Sequence, residues 1–204
     1  APLDGSIQTD LTPNFYWTEA DDPDPLDHVS YTMTWWNVSM PLDTNSVDTD
    51  SNGVTLGNFP DNSHLGWQIT SNDIQGAESN SAPSYFYTDS IPEPPENFAT
   101  VAPDHEVEGI ATEVEFIWNQ TYDPDPLEQV HYQLVYATDW EDSSTYAFSE
   151  LIQDTSIILT LEDNAQYYWM VLALDTDDFI VGSNDNTPNA MVVGTLSIDS
   201  PDIP

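Results

Sequence analysis

Asp22-Pro23-Asp24-Pro25-Leu26-Asp27-His28-Val29-Ser30-Tyr31 returns later in the chain as Asp123-Pro124-Asp125-Pro126-Leu127-Glu128-Gln129-Val130-His131-Tyr132. Residues 1–36 and 102–137 align at an offset of 101 without a gap; eleven positions are identical, and seven of these lie inside the stretch. Each copy follows an apolar run ending in Trp (Phe15-Tyr16-Trp17; Phe116-Ile117-Trp118). Each precedes an alternating run: Val29, Tyr31, Met33 and Trp35 in the first, Val130, Tyr132, Leu134 and Tyr136 in the second. Proline has no N–H to give to a central strand, so the acidic segment between the runs is a loop. Alternation of apolar and polar residues marks a half-buried strand. The unit is therefore strand, acidic turn, strand, used once per domain. A repeat of this length is too long for a solenoid and means tandem domains.

Around the first copy, Leu11–Thr18, Val54–Phe59, Leu65/Trp67/Ile69 and Tyr85–Thr88 read as strands, and 40–53 and 75–84 as polar loops. Ser90-Ile91-Pro92-Glu93-Pro94-Pro95-Glu96 is a linker whose prolines favour an extended connection. Beyond it come Asn97–Val101, Val114/Phe116/Trp118, Tyr146–Leu151, Ile157–Leu161, Tyr167/Trp169/Val171/Ala173 and Met191–Leu196. No segment holds a helical period. Six or seven short strands per domain with polar turns predict an all-β fold, two β-sandwiches over 1–89 and 90–204. Trp17, Tyr31, Trp67, Trp118, Tyr132 and Trp169 fall on core registers.

The chain has 204 residues, 37 of them acidic, with no Lys, Arg or Cys, and a formal charge of −37. Nucleic acid and anionic membrane are excluded as electrostatic partners, and no membrane span is visible. Self-repulsion must be relieved by screening, bound cations or carboxylate protonation. Adaptation to high salt and divalent-cation binding both remain open. Disulfides are ruled out. Ala1 in place of Met reads as a processed mature chain. Asn37-Val38-Ser39 and Asn119-Gln120-Thr121 fit the N-glycosylation pattern. With the lack of trypsin-sensitive residues, they point to an extracellular or cell-surface protein.

Pro95-x-x-Phe98, Ala102-Pro103, Phe116-x-Trp118, the Asp-Pro turn, Val130-x-Tyr132 and Asp163-Asn164-x-x-Tyr167-Tyr168-Trp169 resemble the fibronectin type III-like sandwiches found in tandem on secreted and surface bacterial proteins. The resemblance implies immunoglobulin-like β-sandwiches acting as spacer, adhesive or scaffold material. It covers nearly all of 90–200 and, less fully, 1–89. Leu65 and Gly66 stand where Tyr167 and Tyr168 do, which removes from the first domain the residue a tyrosine-corner bond needs. That domain also lacks the opening strand that Asn97–Val101 gives the second.

Hard cations take six to eight oxygen ligands, several from carboxylates. Asp22, Asp24 and Asp27, with Asp21 beside them, match Asp123, Asp125 and Glu128. In such a sandwich this loop lies beside the one joining the last two strands, which carries Asp73 and Glu78 in the first domain and Asp175, Asp177 and Asp178 in the second. Calcium between two acidic loops is one reading; a solvated turn whose Asp side chains accept local backbone bonds is the other. The repeat is not an EF-hand loop, and zinc prefers nitrogen or sulfur. His28, His64, His105 and His131 have no ligand spacing and read as surface residues. Trp36 and Trp140 are the candidates for contact with glycans. No Ser-His-Asp spacing, phosphate loop or Cys nucleophile is present, and no carboxylate pair stands out for hydrolysis, so the expectation is a non-enzymatic protein.

The chain ends Asp199-Ser200-Pro201-Asp202-Ile203-Pro204, like the start of the internal junction, and begins Ala1-Pro2, like the end of it (Ala102-Pro103). A tail stacked on the next head nearly rebuilds that junction. A head-to-tail contact that does not close gives a filament. The expectation is thus a self-associating structural subunit braced by calcium. The alternative is a calcium-binding spacer or glycan-binding, adhesive module of a larger secreted protein.

Overall fold

The computed structural model describes residues 1–24 and 28–194. It divides into two compact units, the first Ala1–Pro92 and the second beginning at Glu93. Both are all-β among the described residues, apart from a 3-10 turn at Ser143–Thr145 and a single-turn segment at Ser183–Asn186. The latter has left-handed φ at Asn184 and Asp185.

The first unit contains β1 (Ser6–Gln8), β2 (Asn14–Tyr16), β3 (Ser30–Asn37), β4 (Thr44–Thr49), β5 (Gly53–Thr55), β6 (Ser63–Asn72), β7 (Glu78–Asn80) and β8 (Ser84–Thr88). One sheet runs β1-β8-β6-β3-β4, with β7 on β6; the other is β2-β5 alone. β1 is parallel to β8 and the remaining pairs are antiparallel. Phe15, Met33 and Phe86 are fully buried, and Tyr31, Leu65, Trp67 and Ile69 complete the core.

The second unit contains β9 (Thr100–Ala102), β10 (Val107–Ile110), β11 (Glu113–Trp118), β12 (His131–Ala137), β13 (Ala147–Phe148), β14 (Ser156–Thr160), β15 (Ala165–Leu174), β16 (Ile180–Gly182) and β17 (Asn189–Val193). Its sheets are β10-β17-β15-β12-β13, with β16 on β15, and β14-β11-β9. Phe98, Phe116, Trp118, Tyr132, Leu134, Trp169 and Val171 fill its core. The Tyr167 hydroxyl accepts the Glu162 N–H at 3.1 Å, a tyrosine corner, whereas the first unit buries Leu65 at that place. Next to it Gly66 is required by packing: a Cβ there would sit 2.6 Å from the Trp36 ring.

Three readings from sequence need correction. β4 and β7 lie in stretches read as loops. β4 is an edge strand with mostly exposed polar residues, so it shows no apolar alternation; polar edges are how sheets avoid pairing with other chains. The parallel strands β1 and β10 were missed because each is three or four residues long with no fully buried side chain. Trp17 is only half-buried, where Trp118 is 2% exposed; the cause is the covering segment described below. Each core also leaves two indole N–H groups (Trp17 and Trp67; Trp118 and Trp169) without an acceptor.

Candidate cation-binding poles and an open sheet edge

The repeated stretch is held in the same way in both units. The Tyr31 hydroxyl accepts the Ala20 N–H at 2.9 Å, and the Tyr132 hydroxyl accepts the Thr121 N–H at 2.8 Å. Each tyrosine reaches eleven residues back to pin the loop between its two strands, and each packs near the preceding Trp, with ring centroids 5.5 Å apart in the first unit and 5.6 Å in the second. Downstream of the pin, Asp22 Oδ1 accepts the Asp24 N–H and Asp123 Oδ1 accepts the Asp125 N–H, both at 2.8 Å. These are local Asx turns, to which Asp is suited because its carboxylate reaches the N–H two residues on. The facing loop is duplicated too. Asp73 Oδ1 accepts from Gln75 and Ala77, and Asp175 Oδ1 from Asp177 and Phe179.

In the first unit the two loops flank an open cleft lined by Ala20, Asp22, Asp24, Asn72, Asp73 and Glu78. Asp24 is exposed, and Asp22 and Asp73 are half-buried. Asp27 lies outside the described residues.

The second unit closes the same pole. Glu128 accepts from the Thr176 hydroxyl at 2.6 Å and the Thr176 N–H at 3.2 Å, tying the two loops together. Asp125 is 3% exposed. Its Oδ2 accepts the Glu93 N–H at 3.0 Å, while its Oδ1 is buried without a partner, as are Asp123 Oδ2 and Asp175 Oδ2. Asp177 and Asp178 are exposed. Burial holds the Asp123 carboxyl up at about 6, helped by the charges of Asp125, Asp175 and Glu128 and opposed by the Asp125 N–H. Asp125 is likewise raised to about 6, first by burial and then by the Glu93 carboxyl against it. Residual desolvation and then the Glu128 charge push Asp177 upward. Among the described residues no three acidic or histidine side chains already form a closed coordination group. The arrangement is one of neighbouring carboxylates, Asp123, Asp125 and Asp175 each fixed by one oxygen and Glu128 by both.

Sequence reasoning missed Glu93, which it placed in the linker. Glu93 stands just before the apolar anchor Pro95-x-x-Phe98, which marks a docking segment but not the path that brings Glu93 to Asp125. That segment runs against the loop. Glu96 N–H donates to Tyr122 O, the Thr121 hydroxyl to Glu96 O, and Asn119 N–H to Ala99 O. Beyond it β9 pairs with β11. Phe98 is 7% exposed, its ring centroid 5.8 Å from that of Tyr132. The turn at Ser183–Asn186 secures it, Asn184 N–H donating to Phe98 O and Thr100 N–H to Asn184 Oδ1. Among the described residues of the first unit no strand plays this part. β2 pairs with β5 on one side only, and Trp17 is left partly uncovered.

The remaining candidates are more plainly placed. Asn37 is half-buried and accepts the Ser39 N–H. Asn119 is exposed, but the Thr121 of its acceptor pattern is buried. Trp36 and Trp140 are half-buried, Trp36 set edge-on to Tyr85 and Trp140 stacked on Tyr146 at 4.9 Å. His64 stacks on Tyr87, and His28 and His105 sit 3.6 and 3.7 Å from exposed carboxylates. No helix among the described residues is long and apolar enough to cross a membrane.

No family model matches the chain, and no curated protein does. Among solved structures it is similar to the FN1–FN3 domains of chicken CNTN1, at 12% identity over 94% of this chain and 66% of that one, with a TM-score of 0.37. It is also similar to the fibronectin(III)-like modules of Clostridium thermocellum CbhA, at 11% identity over 98% and 95%, with a TM-score of 0.36. The fold rests on the strand order itself: a three-stranded sheet facing a five-stranded path closed by a tyrosine corner in one unit, and a reduced version of the same plan in the other. In fold the chain is a tandem of fibronectin type III-like, immunoglobulin-like β-sandwiches.

Proposed function

We propose that the chain is a non-enzymatic structural segment of an extracellular or cell-surface assembly, extended head to tail by strand addition, with a divalent cation relieving the acidic pole of its second unit. The observation that carries the reading is the difference between β2-β5 and β14-β11-β9. An unpaired strand edge is a template for another chain, and added strands gain affinity from main-chain hydrogen bonds and specificity from side-chain pockets. The occupant is an extended segment from a second copy, of the kind that Glu93–Ala102 exemplifies: prolines, then one apolar side chain to cover the core beside Trp17, as Phe98 packs beside Tyr132. The tail expected from sequence to stack on the next head, Asp199–Pro204, lies outside the described residues.

The test is assembly of the intact chain at high concentration, followed by sedimentation and negative-stain microscopy, with and without a synthetic peptide spanning Glu93–Pro103. The reading expects fibres that the peptide shortens or abolishes, together with a blue shift in emission from Trp17. A chain that stays monomeric with calcium present, or fibres indifferent to the peptide, would refute it.

A further inference from the structure

We propose that the second unit binds one divalent cation of the calcium class through Asp123, Asp125, Glu128 and Asp175, with Glu93 closing on the ion from the start of that unit. The inference rests on and deepens the cation part of the function proposed above, and is independent of strand addition, which concerns the other unit. Its basis is how each oxygen is used. Asp123, Asp125 and Asp175 each commit one oxygen to backbone N–H groups: those of Asp125, of Glu93, and of Asp177 and Phe179 respectively. Each leaves its other oxygen buried with no partner. A buried acceptor without a donor is costly, more so when charged. Asp125 is the decisive case, because it is 3% exposed and cannot turn its bare oxygen to water without unmaking the bond to Glu93.

No side chain of this protein can supply the missing positive charge, because there is no Lys or Arg. The described histidines bond or pair elsewhere: His131 lies against Gln153, and His28 and His105 beside Asp50 and Glu106. The backbone N–H groups that reach these aspartates meet their other oxygens. What remains is a set of neighbouring carboxylates from two loops and the entering segment. Calcium accepts such a set better than magnesium, because it tolerates irregular geometry and six to eight oxygens, whereas magnesium demands a tight octahedron. As they stand no three of these side chains make a group able to hold a metal ion, so binding must draw them together, with water completing the shell. Glu93 gives the site a mechanical meaning: its N–H and carboxyl both meet Asp125, so the ion fixes the first residue of the unit to its own acidic turn. The first unit has the same Asx turns but an exposed Asp24 and no counterpart of Glu93 among its described residues, and it is not part of the proposal.

The experiment is calorimetric titration of the full chain with calcium chloride in about 0.15 M sodium chloride, where surface charge is largely screened. It is repeated with magnesium and on Asp125→Asn, Asp175→Asn and Asp24→Asn. The proposal expects one saturable calcium site per chain and weaker magnesium binding. Either second-unit substitution should weaken calcium at least about tenfold, the lower range for loss of even an outer-shell group, while Asp24→Asn leaves it unchanged. Without calcium, Asp125→Asn should melt higher than the parent, because it removes a buried charge; a residue that only braces the loop would melt lower. No saturable calcium binding by the unsubstituted chain overturns the proposal whatever the variants do. So does an Asp24→Asn loss equal to that of Asp125→Asn, or sodium chloride matching calcium's effect on melting at equal ionic strength.

Discussion

Asp24 and Asp125 occupy the same place in the same repeated turn, held by the same bond to the preceding Asp, yet one is exposed and the other buried. Trp17 and Trp118 differ in the same direction. Neither difference comes from the motif. Both come from Glu93–Ala102, which lies along the second unit's loop and inserts Phe98 beside Tyr132, while the first unit has no described segment there. A duplicated motif thus sets a backbone shape, and a neighbour outside it decides whether that shape is a wet turn or a desolvated cluster of charge.

The largest test is to make the second unit resemble the first. Phe98→Ala removes a nearly buried ring and should destabilise the second unit by about 3–5 kcal/mol, as large-to-small aromatic changes in cores do. Denaturant unfolding should show that loss, with red-shifted emission as Trp118 gains the exposure of Trp17. If emission and stability hardly move, the covering segment is not what separates the units.

Calcium should act on one side of the comparison. At about a hundredfold excess over its dissociation constant, one site adds about 2.7 kcal/mol. The gain should appear in unfolding reported from the second unit, by hydrogen exchange along β12 and β15, and not along β3 and β6. Equal protection of both units would mean general screening instead.

Proton binding gives a slightly smaller effect with a definite sign. Asp123 and Asp125 hold protons to about pH 6 when folded, against 3.8 for an ordinary Asp. Below the lower value both states are protonated, so burial carries no charge penalty. As pH rises from about 4 through 6 the folded state must release protons it holds more tightly than the unfolded chain does, so stability falls and stays low above that window. The calcium-free loss should be on the order of 2 kcal/mol for the interacting pair, less than two independent shifts would give. The check is the difference in melting between the parent and the Asp123→Asn, Asp125→Asn double variant from pH 4 to 7. A difference that does not vary with pH would contradict the burial of these two charges.

Much of this was legible beforehand because repetition and alternation are physical signals. Phe116, Trp118, Tyr132, Leu134 and Trp169 alternate with polar neighbours along their strands, and all are buried. β4 was illegible because Val47 is the one apolar residue of this edge strand that packs on the core, so no alternation marks it. The site was half legible. The turn acids were visible as a cluster, but their sequence is nearly identical in the two copies. Which cluster would be desolvated depended on Glu93, whose role requires a backbone path over Thr121 and Tyr122 that no local pattern encodes. Trp17 was misjudged for the same reason: its register is right, and what it lacks is a neighbour.

The finest comparison is between the two tyrosine pins. Tyr31→Phe deletes one acceptor, leaving the Ala20 N–H in a partly buried place where water can replace it. Tyr132→Phe deletes an acceptor for the Thr121 N–H and a donor, 3.3 Å from Thr121 O, in a buried one. A typical hydrogen bond contributes about 0.5–1.5 kcal/mol net, and a buried partner left unsatisfied costs about 1–3 kcal/mol. Tyr31→Phe should therefore cost about 1 kcal/mol and Tyr132→Phe about 1 kcal/mol more. Thr121 also donates its hydroxyl to Glu96 O, so loosening it frees the segment that buries Asp125. A second-unit variant should then lose calcium affinity as well as stability, whereas Tyr31→Phe should lose stability alone. Equal costs for the two substitutions, with calcium binding untouched by either, would show that the covering segment is held without the tyrosine and that the units differ in sequence but not in how their acidic turns are supported.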